Sequence, residues 1–258
     1  MCRIISFVGS RGGVGKTSII LMLAEYIRNQ NKKILLIDGY FSINDLSMRF
    51  DVKNEIDFKE YITGDAREHD VLNYAKHNLL YLKTNKTDFD YKRHDSVFCE
   101  FINNVSNKFD YILIDVNNLD FENLNLFLKC SNETMIVMSD EKIDVLNSHK
   151  FIQKIRCYKN ITDIKIIINK AFVVGKLAGE RVSENDVQTL LETDVLFVIE
   201  KFHKFNCFSF KNITKKQIKI MKLFCNVFIT NNPHLINYEK RYCGIIGYFR
   251  KRVAKKYE

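Results

Sequence analysis

The sequence has a single proline and ten glycines in 258 residues, which leaves little material for a flexible linker. It contains no internal repeat and no low-complexity tract. These absences favour one large domain, which we place at residues 1–240, followed by a short C-terminal helix at residues 241–258. The hydrophobic content of 46% and the charged content of 28% are ordinary for a soluble globular protein.

Long apolar runs are also missing. No stretch of about 18 residues is uninterruptedly apolar, so we expect no membrane-spanning helix. The N-terminal run MCRIISFVG has no charged leader and passes directly into glycine-rich turn residues, unlike a signal peptide. Both observations favour a cytoplasmic protein.

The cysteines and histidines follow no metal-binding spacing, since CxxC and HExxH patterns are absent. The seven cysteines are odd in number and widely scattered: Cys2, Cys99, Cys130, Cys157, Cys207, Cys225 and Cys243. We therefore expect reduced, mostly structural thiols of a cytosolic protein. A metal cage built from protein ligands alone is not expected.

Positive charge is concentrated at the C-terminus. The net charge is +9, and residues 240–258 contain seven basic residues and one acidic residue. Six of the nine net positive charges therefore lie in this segment, and the body of the protein is nearly balanced.

Short runs rich in Ile, Val, Leu and Phe recur along the chain without clean alternation, which is typical of parallel strands buried on both faces. Helical patterns lie between several of them, as in TSIILMLAEYIRNQ (17–30) and SENDVQTLLE (183–192). Strands alternating with helices predict an α/β fold with one doubly wound, mostly parallel sheet and helices on both faces. Ligands of such sheets bind at the carboxyl ends of the strands. The predicted strands are residues 3–9, 32–38, 78–84, 109–115, 133–139, 163–170 and 195–200.

Residues 9–17, GSRGGVGKT, match the phosphate-loop pattern GxxxxGK[ST] between the first strand and the following helix. Glycines let backbone N–H groups turn inward around an anion, and the helix N-terminus adds its positive dipole end. We expect Lys16 to reach the β- and γ-phosphates and the Thr17 hydroxyl to ligate Mg²⁺. The predicted nucleotide-binding residues of the loop are Gly12, Gly13, Val14, Gly15, Lys16, Thr17 and Ser18.

The loop RGGVGKTS resembles the deviant Walker A sequence of the MinD/ParA ATPases. Further stretches resemble the same family: KKILLIDGYFSINDL its second strand and first switch, FDYILID its Walker B strand, and IIINKA its adenine-contacting strand. LAGERVSENDVQTLLETDVLFVIE resembles the MinD branch more than the ParA branch. The resemblance covers most of the chain.

The resemblance implies a P-loop NTPase fold, ATP and Mg²⁺ as cofactors, and a homodimer that forms on ATP binding with two nucleotides between the subunits. It places Asp38 and Asp115 near the metal, both through water, and Asn169 at the adenine. Arg11 occupies the position at which the family has its signature Lys. In the family, this Lys reaches the phosphates of the nucleotide in the partner subunit. The residues expected to act in catalysis are Lys16, Arg11 and Asp38.

The sequence departs from the family in three places. Arg11 replaces the signature Lys. Its guanidinium keeps the positive charge, but it is a planar group with a different geometry from an ammonium. Tyr40 stands where the family has the Asp that positions the attacking water, and a neutral phenol cannot act as a general base near pH 7. Val116, Asn117 and Asn118 replace proline and small residues in the second switch. We therefore expect competent ATP binding and slow hydrolysis to ADP and phosphate.

The C-terminal stretch YCGIIGYFRKRVAKKYE (242–258) has the pattern of a short amphipathic helix with a cationic polar face. It resembles the membrane-targeting helix of the MinD branch in place and character. The residues predicted to meet an anionic membrane surface are Ile245, Ile246, Phe249, Arg250, Lys251 and Val253. Two alternatives stay open: a helix packed on the body of the protein, or a contact to DNA phosphates.

The leading functional hypothesis is a MinD-like ATP-dependent dimer that docks reversibly on the inner face of the cell membrane. It would position an unidentified protein partner at a division site, pilus, flagellum or secretion machinery. The alternative is a ParA-like partitioning ATPase that binds nonspecific DNA, which the apolar stripe of the C-terminal segment disfavours. A nucleotide-locked scaffold without useful turnover is compatible with the first hypothesis.

Overall fold

A computed structural model describes residues 1–39, 56–74, 79–84, 91–116, 121–157, 163–171, 181–201 and 215–231. Tyr40, Asn117 and Asn118 lie outside these residues, as does the C-terminal segment 241–258 with its six predicted membrane-contacting side chains. The expectations for these positions stay predictions.

The described residues form the strands β1 Arg3–Val8, β2 Ile34–Gly39, β3 Leu72–Tyr74, β4 Leu80–Lys83, β5 Tyr111–Val116, β6 Glu133–Met138, β7 Ile164–Ala171 and β8 Val195–Glu200. These strands form one sheet in the order β3-β4-β2-β5-β1-β6-β7-β8. Neighbouring strands are parallel except β3 and β4, which are antiparallel. The doubly wound, mostly parallel sheet is thus confirmed, and the seven apolar runs all fall on strands. The short edge strand β3 was not predicted.

Helices connect the strands, and two of them begin as the sequence predicts. The first helix starts at Lys16, directly after the phosphate loop. The Ser183 hydroxyl accepts a hydrogen bond from the Asp186 N–H at 3.2 Å and caps a later helix. The helices are α1 Lys16–Arg28, α2 Phe58–Thr63, α3 Asp95–Ser106, α4 Phe121–Lys129, α5 Lys142–Arg156, α6 Glu184–Leu191 and α7 Lys215–Thr230, and a 3₁₀ turn covers Tyr91–His94.

The helices cover both faces of the sheet and bury two apolar layers. One layer packs α1 and α7 against the sheet and includes Leu23, Phe197 and Phe224, all fully buried. The other packs α2 to α6 against the opposite face. Each fully buried Leu, Ile or Phe stabilises the fold by about 1.5–3 kcal/mol relative to an exposed one. These layers hold the strands rigidly, so the residues at the strand ends keep fixed relative positions.

Arg3, the first residue of β1, fastens α7 to the sheet. Its guanidinium donates to both carboxylate oxygens of Glu133 at 2.6 Å and to the Phe228 carbonyl oxygen at 2.8 Å. The last turn of α7 is thereby tied to the amino ends of β1 and β6. Such a bidentate, charge-assisted arrangement is among the stronger hydrogen-bond geometries in proteins.

The expectation of reduced thiols is wrong for Cys99 and Cys130, which form a disulfide. They are 31 residues apart in sequence, but the packing of α3 against α4 brings their Cα atoms to 5.3 Å, a distance that a disulfide spans. Cys2, Cys157 and Cys225 are free thiols, and burial raises the pKa of the Cys2 thiol to about 11. Cys207 and Cys243 lie outside the described residues.

Among the helices that the structure describes, none is long and apolar enough to cross a membrane.

Candidate nucleotide-binding site

The phosphate loop joins the carboxyl end of β1 to the amino end of α1. Gly15, the residue before α1, has a φ of 96°, a backbone conformation that favours glycine. A Cβ at this position would also collide with the Asn169 amide nitrogen. The loop therefore needs glycine here to close onto the helix N-terminus, where orphan N–H groups and the helix dipole attract an anion.

The predicted loop residues lie where the pattern places them. Gly12 and Gly13 are exposed at the tip of the loop, Val14 is buried, and Ser18 is half-buried in the first turn of α1. Lys16 and Thr17 are only 5% and 6% exposed. The Thr17 hydroxyl donates a 2.5 Å hydrogen bond to the Asp115 carboxylate, so the loop is joined to the end of β5.

Asp38 and Asp115 are neighbours at the carboxyl edge of the sheet. They face each other in register on the parallel strands β2 and β5, and both side chains are fully buried. Thr84 donates its hydroxyl to the Asp38 carbonyl oxygen at 2.7 Å, which fixes the end of β2. The two carboxylates and the Thr17 hydroxyl thus meet beside the phosphate loop.

This donor set fits Mg²⁺. Thr17, Asp38 and Asp115 offer hard oxygen atoms, which this ion prefers. In the described part of the chain, no group of three or more His, Cys, Asp or Glu residues could hold a metal by itself. Magnesium sites at nucleotides usually have one or two carboxylates that act together with substrate phosphates and water.

The end of β7 is tied to the phosphate loop by two adjacent residues. The Asn169 amide donates to the Val14 carbonyl oxygen at 2.8 Å, and the Lys170 ammonium donates to the Gly13 carbonyl oxygen. Asn169 therefore lies beside the phosphate loop, and its contact with adenine stays a prediction. Lys170 was missed, although a lysine beside Asn169 at the end of an apolar strand was a signal that could have identified it.

Arg11 is held by its own chain in what we term the acidic cradle, formed by Ser139, Glu141 and Asp144. Its guanidinium lies 2.7 Å from Glu141 Oε2, 3.4 Å from Asp144 Oδ2 and 3.3 Å from Ser139 Oγ. The pKa of the Glu141 carboxyl is lowered from its ordinary value, mainly by the hydrogen bond that Arg11 donates to it. The Arg11 side chain is still 40% exposed, so it lies on the rim of the site.

Asp144 anchors the loop from the first turn of α5. Its fully buried carboxylate accepts the Ser10 hydroxyl at 2.6 Å and the Ser139 N–H at 2.7 Å. Ser148, one turn further along α5, donates to Ser10 at 3.0 Å. The acidic cradle was not predicted. The signal that could have identified it is Asp144, a carboxylate on the face of α5 that also buries Val145 and Ser148.

Comparisons with known proteins agree with this geometry. A family model described as an AAA domain matches residues 2–168. The putative septum site-determining protein MinD of Emiliania huxleyi is 24% identical over 203 residues, which cover 77% of this chain and 74% of that protein.

Two solved structures share the fold. The septum site-determining protein MinD of Pyrococcus horikoshii, complexed with Mg-ADP, superposes with a TM-score of 0.71 at 20% identity and covers 92% of this chain and 100% of that one. A putative plasmid partition protein of Borrelia burgdorferi, bound to AMPPNP, superposes with a TM-score of 0.68 at 22% identity and covers 90% and 100%. The phosphate loop, the paired strand-end carboxylates and these likenesses agree: the chain belongs to the MinD/ParA family of P-loop ATPases.

Proposed function

We propose that this chain is a MinD-like nucleotide switch. It binds Mg-ATP, dimerises on ATP, docks reversibly on the anionic inner face of the cell membrane and positions a protein partner there. The observation that carries the proposal is the convergence of Lys16, Thr17, Asp38 and Asp115 beside one phosphate loop.

Nucleotide binding follows from the loop. The N–H groups at the start of α1 receive the phosphates, and the nearly buried Lys16 adds a positive charge in surroundings where water screens it little. Mg²⁺, when bound, would neutralise phosphate charge and hold the phosphates in a fixed orientation. Asn169 and Lys170 hold the Val14 and Gly13 carbonyl oxygens, which keeps these acceptors from turning toward the anion.

Dimerisation depends on Arg11. The guanidinium binds single oxygens of two carboxylates in its own chain, and a phosphate offers anionic oxygen acceptors of the same kind. Arg11 would leave the acidic cradle to contact the nucleotide of a second copy, and ATP supplies one more phosphate than ADP for that contact. Because Arg11 must give up its own carboxylates first, they weaken the dimer in every state, and the additional phosphate of ATP would offset that cost.

Hydrolysis is proposed to be slow. Phosphoryl transfer depends mainly on positioning and electrostatics, so replacing the water-positioning Asp by Tyr40 affects turnover and spares binding. A long-lived ATP dimer would then serve as a platform for its partner.

Membrane docking is proposed to use the C-terminal segment. Each Lys or Arg near an anionic leaflet contributes about 1 kcal/mol, so the five basic residues of the stretch 242–258 and a few of its apolar side chains give weak binding for one copy. A dimer presents two copies and binds more tightly without any new contact. ATP would thereby control membrane residence of an otherwise cytoplasmic protein.

Liposome co-sedimentation tests this proposal. We expect the intact chain to sediment with anionic vesicles in ATP and to stay in solution in ADP or without nucleotide. A chain ending before Tyr242 should stay in solution in all three states and still bind ATP. A matched variant, Phe249→Asp, should behave as the truncation does, whereas Tyr257→Phe should behave as the intact chain does. Sedimentation of the truncated chain, or none of the intact chain, would contradict the proposal.

A second function is favoured by the likeness to the Borrelia burgdorferi plasmid partition protein and by the basic C-terminal segment. In that case, the ATP-bound dimer would bind nonspecific DNA. A DNA gel shift at the salt concentration of the liposome experiment separates the two: an ATP-dependent shift without vesicle binding supports the DNA function.

A further inference from the structure

Cys99 and Cys130 join two helices on one face of the sheet. Cys99 lies in the middle of α3, and Cys130 directly follows α4. Cys99 is half-buried and Cys130 is 9% exposed, so a small molecule can approach the pair from the side of Cys99. Disulfides in cytosolic proteins, where they occur, are usually transient, catalytic or redox-sensing.

The bridge lies next to an aromatic cluster that packs α3 between α2 and α4. On α3, Phe98 precedes Cys99. The Phe98 ring lies 5.3 Å from that of Phe58 on α2 and 5.5 Å from that of Phe127 on α4. All three rings are at most 1% exposed. A change in how tightly α3 is held therefore reaches both neighbouring helices directly.

Helices α2 and α4 follow the two segments that the family resemblance identifies as the first and the second switch. Helix α2 is the first helix described after Asp38, and α4 is the first after Asp115. Phe127 also lies against the end of β2, because a Cβ on Gly39 would be 3.0 Å from its ring and 2.8 Å from the Asp115 carbonyl oxygen. Phe98 and Phe127 thus link the helix that carries Cys99 to the end of β2 beside the nucleotide site.

The two cysteines are fixed unequally. Residues after Cys130 are bound to β1, since the Ser131 and Ser6 hydroxyls are 2.6 Å apart and the Asn132 N–H donates to the Ile4 carbonyl oxygen at 2.8 Å. Cys130 Sγ also lies 3.3 Å from the Leu126 carbonyl oxygen, an acceptor for the thiol of the reduced form. Reduction therefore leaves Cys130 in place and removes the covalent tie on α3, which is then held to α4 by the Phe98–Phe127 packing and by the ion pair between Asp95 and Lys129.

We propose that Cys99 and Cys130 form a reversible redox modification site, which low-molecular-weight disulfides such as oxidised glutathione close, and which sets the mobility of α3 and its neighbours α2 and α4. The Cys99 thiolate attacks oxidised glutathione, forms a mixed disulfide and releases one glutathione thiolate. The Cys130 thiolate then attacks the Cys99 sulfur, forms the bridge and releases the second. The two released glutathione thiolates take up the two protons that the cysteine thiols lost. Any effect on ATP turnover rests on the proposed function, but the modification itself does not.

The test uses the full chain without nucleotide or membrane, so that its failure is distinct from a failure of the proposed function. The protein is equilibrated in glutathione buffers from fully reduced to fully oxidised, and the bridged fraction is measured by thiol alkylation and mass spectrometry. Amide hydrogen exchange is followed in parallel over residues 56–63, 95–106 and 121–131. We expect a reversible transition within the glutathione range and at least about tenfold faster exchange of the α3 amides in the reduced protein, with a smaller change in α2.

Cys99→Ser should exchange at the fast rate in every buffer, and the matched control Cys157→Ser, at an exposed free cysteine, should behave as the wild type does. The comparison of wild type in two buffers needs no substitution, so a variant that fails to fold does not remove the test. Two results would overturn the proposal: a pair that stays in one redox state across all buffers, or exchange in α2 and α3 that is the same in both states.

Discussion

Replacing Lys16 by alanine is expected to lower the affinity for Mg-ATP at least about 100-fold, measured by isothermal titration calorimetry. The side chain is only 5% exposed at the start of α1 and lies in the loop that receives the phosphates. Charge-assisted contacts to phosphate are about twice as strong as neutral hydrogen bonds, and the loss of two or more accounts for the expected change.

Lys32→Ala is the matched control for this substitution. Lys32 precedes β2 at the amino edge of the sheet and makes an exposed ion pair with Asp110 at 3.3 Å. Exposed pairs of this kind contribute about 0–1 kcal/mol to stability, so both the fold and ATP binding should be retained. Wild-type ATP affinity in Lys16→Ala would contradict the assignment of the site.

Tyr40→Asp is expected to increase the rate of ATP hydrolysis at least about tenfold, measured as phosphate release under single-turnover conditions. The substitution restores the carboxylate that positions the attacking water in the family pattern. Because the phosphate loop, Asp38 and Asp115 are unchanged, ATP affinity should change little.

The Tyr40→Phe variant distinguishes an effect of the introduced carboxylate from an effect of losing the phenol hydroxyl. It should hydrolyse ATP as slowly as the wild type does. Equal rates for Tyr40→Asp and the wild type would mean that Tyr40 is not the reason for slow turnover. Fast hydrolysis by the wild type would contradict the premise that this protein hydrolyses ATP slowly.

The sheet and the phosphate loop follow from local patterns. Buried parallel strands such as β1 and β5 are continuous apolar runs, so each is visible in about six residues without knowledge of its partners. The loop from Gly9 to Thr17 is likewise one short stretch of sequence, and its Gly13 and Gly15 have positive φ angles that favour glycine. Asp38, Asp115 and Asn169 were identified because they end such strands and match the family pattern.

The remaining features depend on tertiary contacts. Arg11 and Glu141 are 130 residues apart, so nothing in either stretch indicates that they form an ion pair. Cys99 and Cys130 meet only because α3 packs on α4, and spacing does not determine disulfide connectivity. Strand β3 has three residues and, among the strands that the structure describes, one neighbour, so it is too short for the alternation of an edge strand to be recognised.

The most direct test of the account is the oligomeric state measured by sedimentation velocity in Mg-ATP and in Mg-ADP, for the wild type and for Arg11→Ala. The account predicts a wild-type dimer in ATP, a monomer in ADP, and a monomer in both for Arg11→Ala, which should still bind nucleotide. A wild type that stays monomeric in ATP, or an Arg11→Ala variant that dimerises as the wild type does, would contradict it.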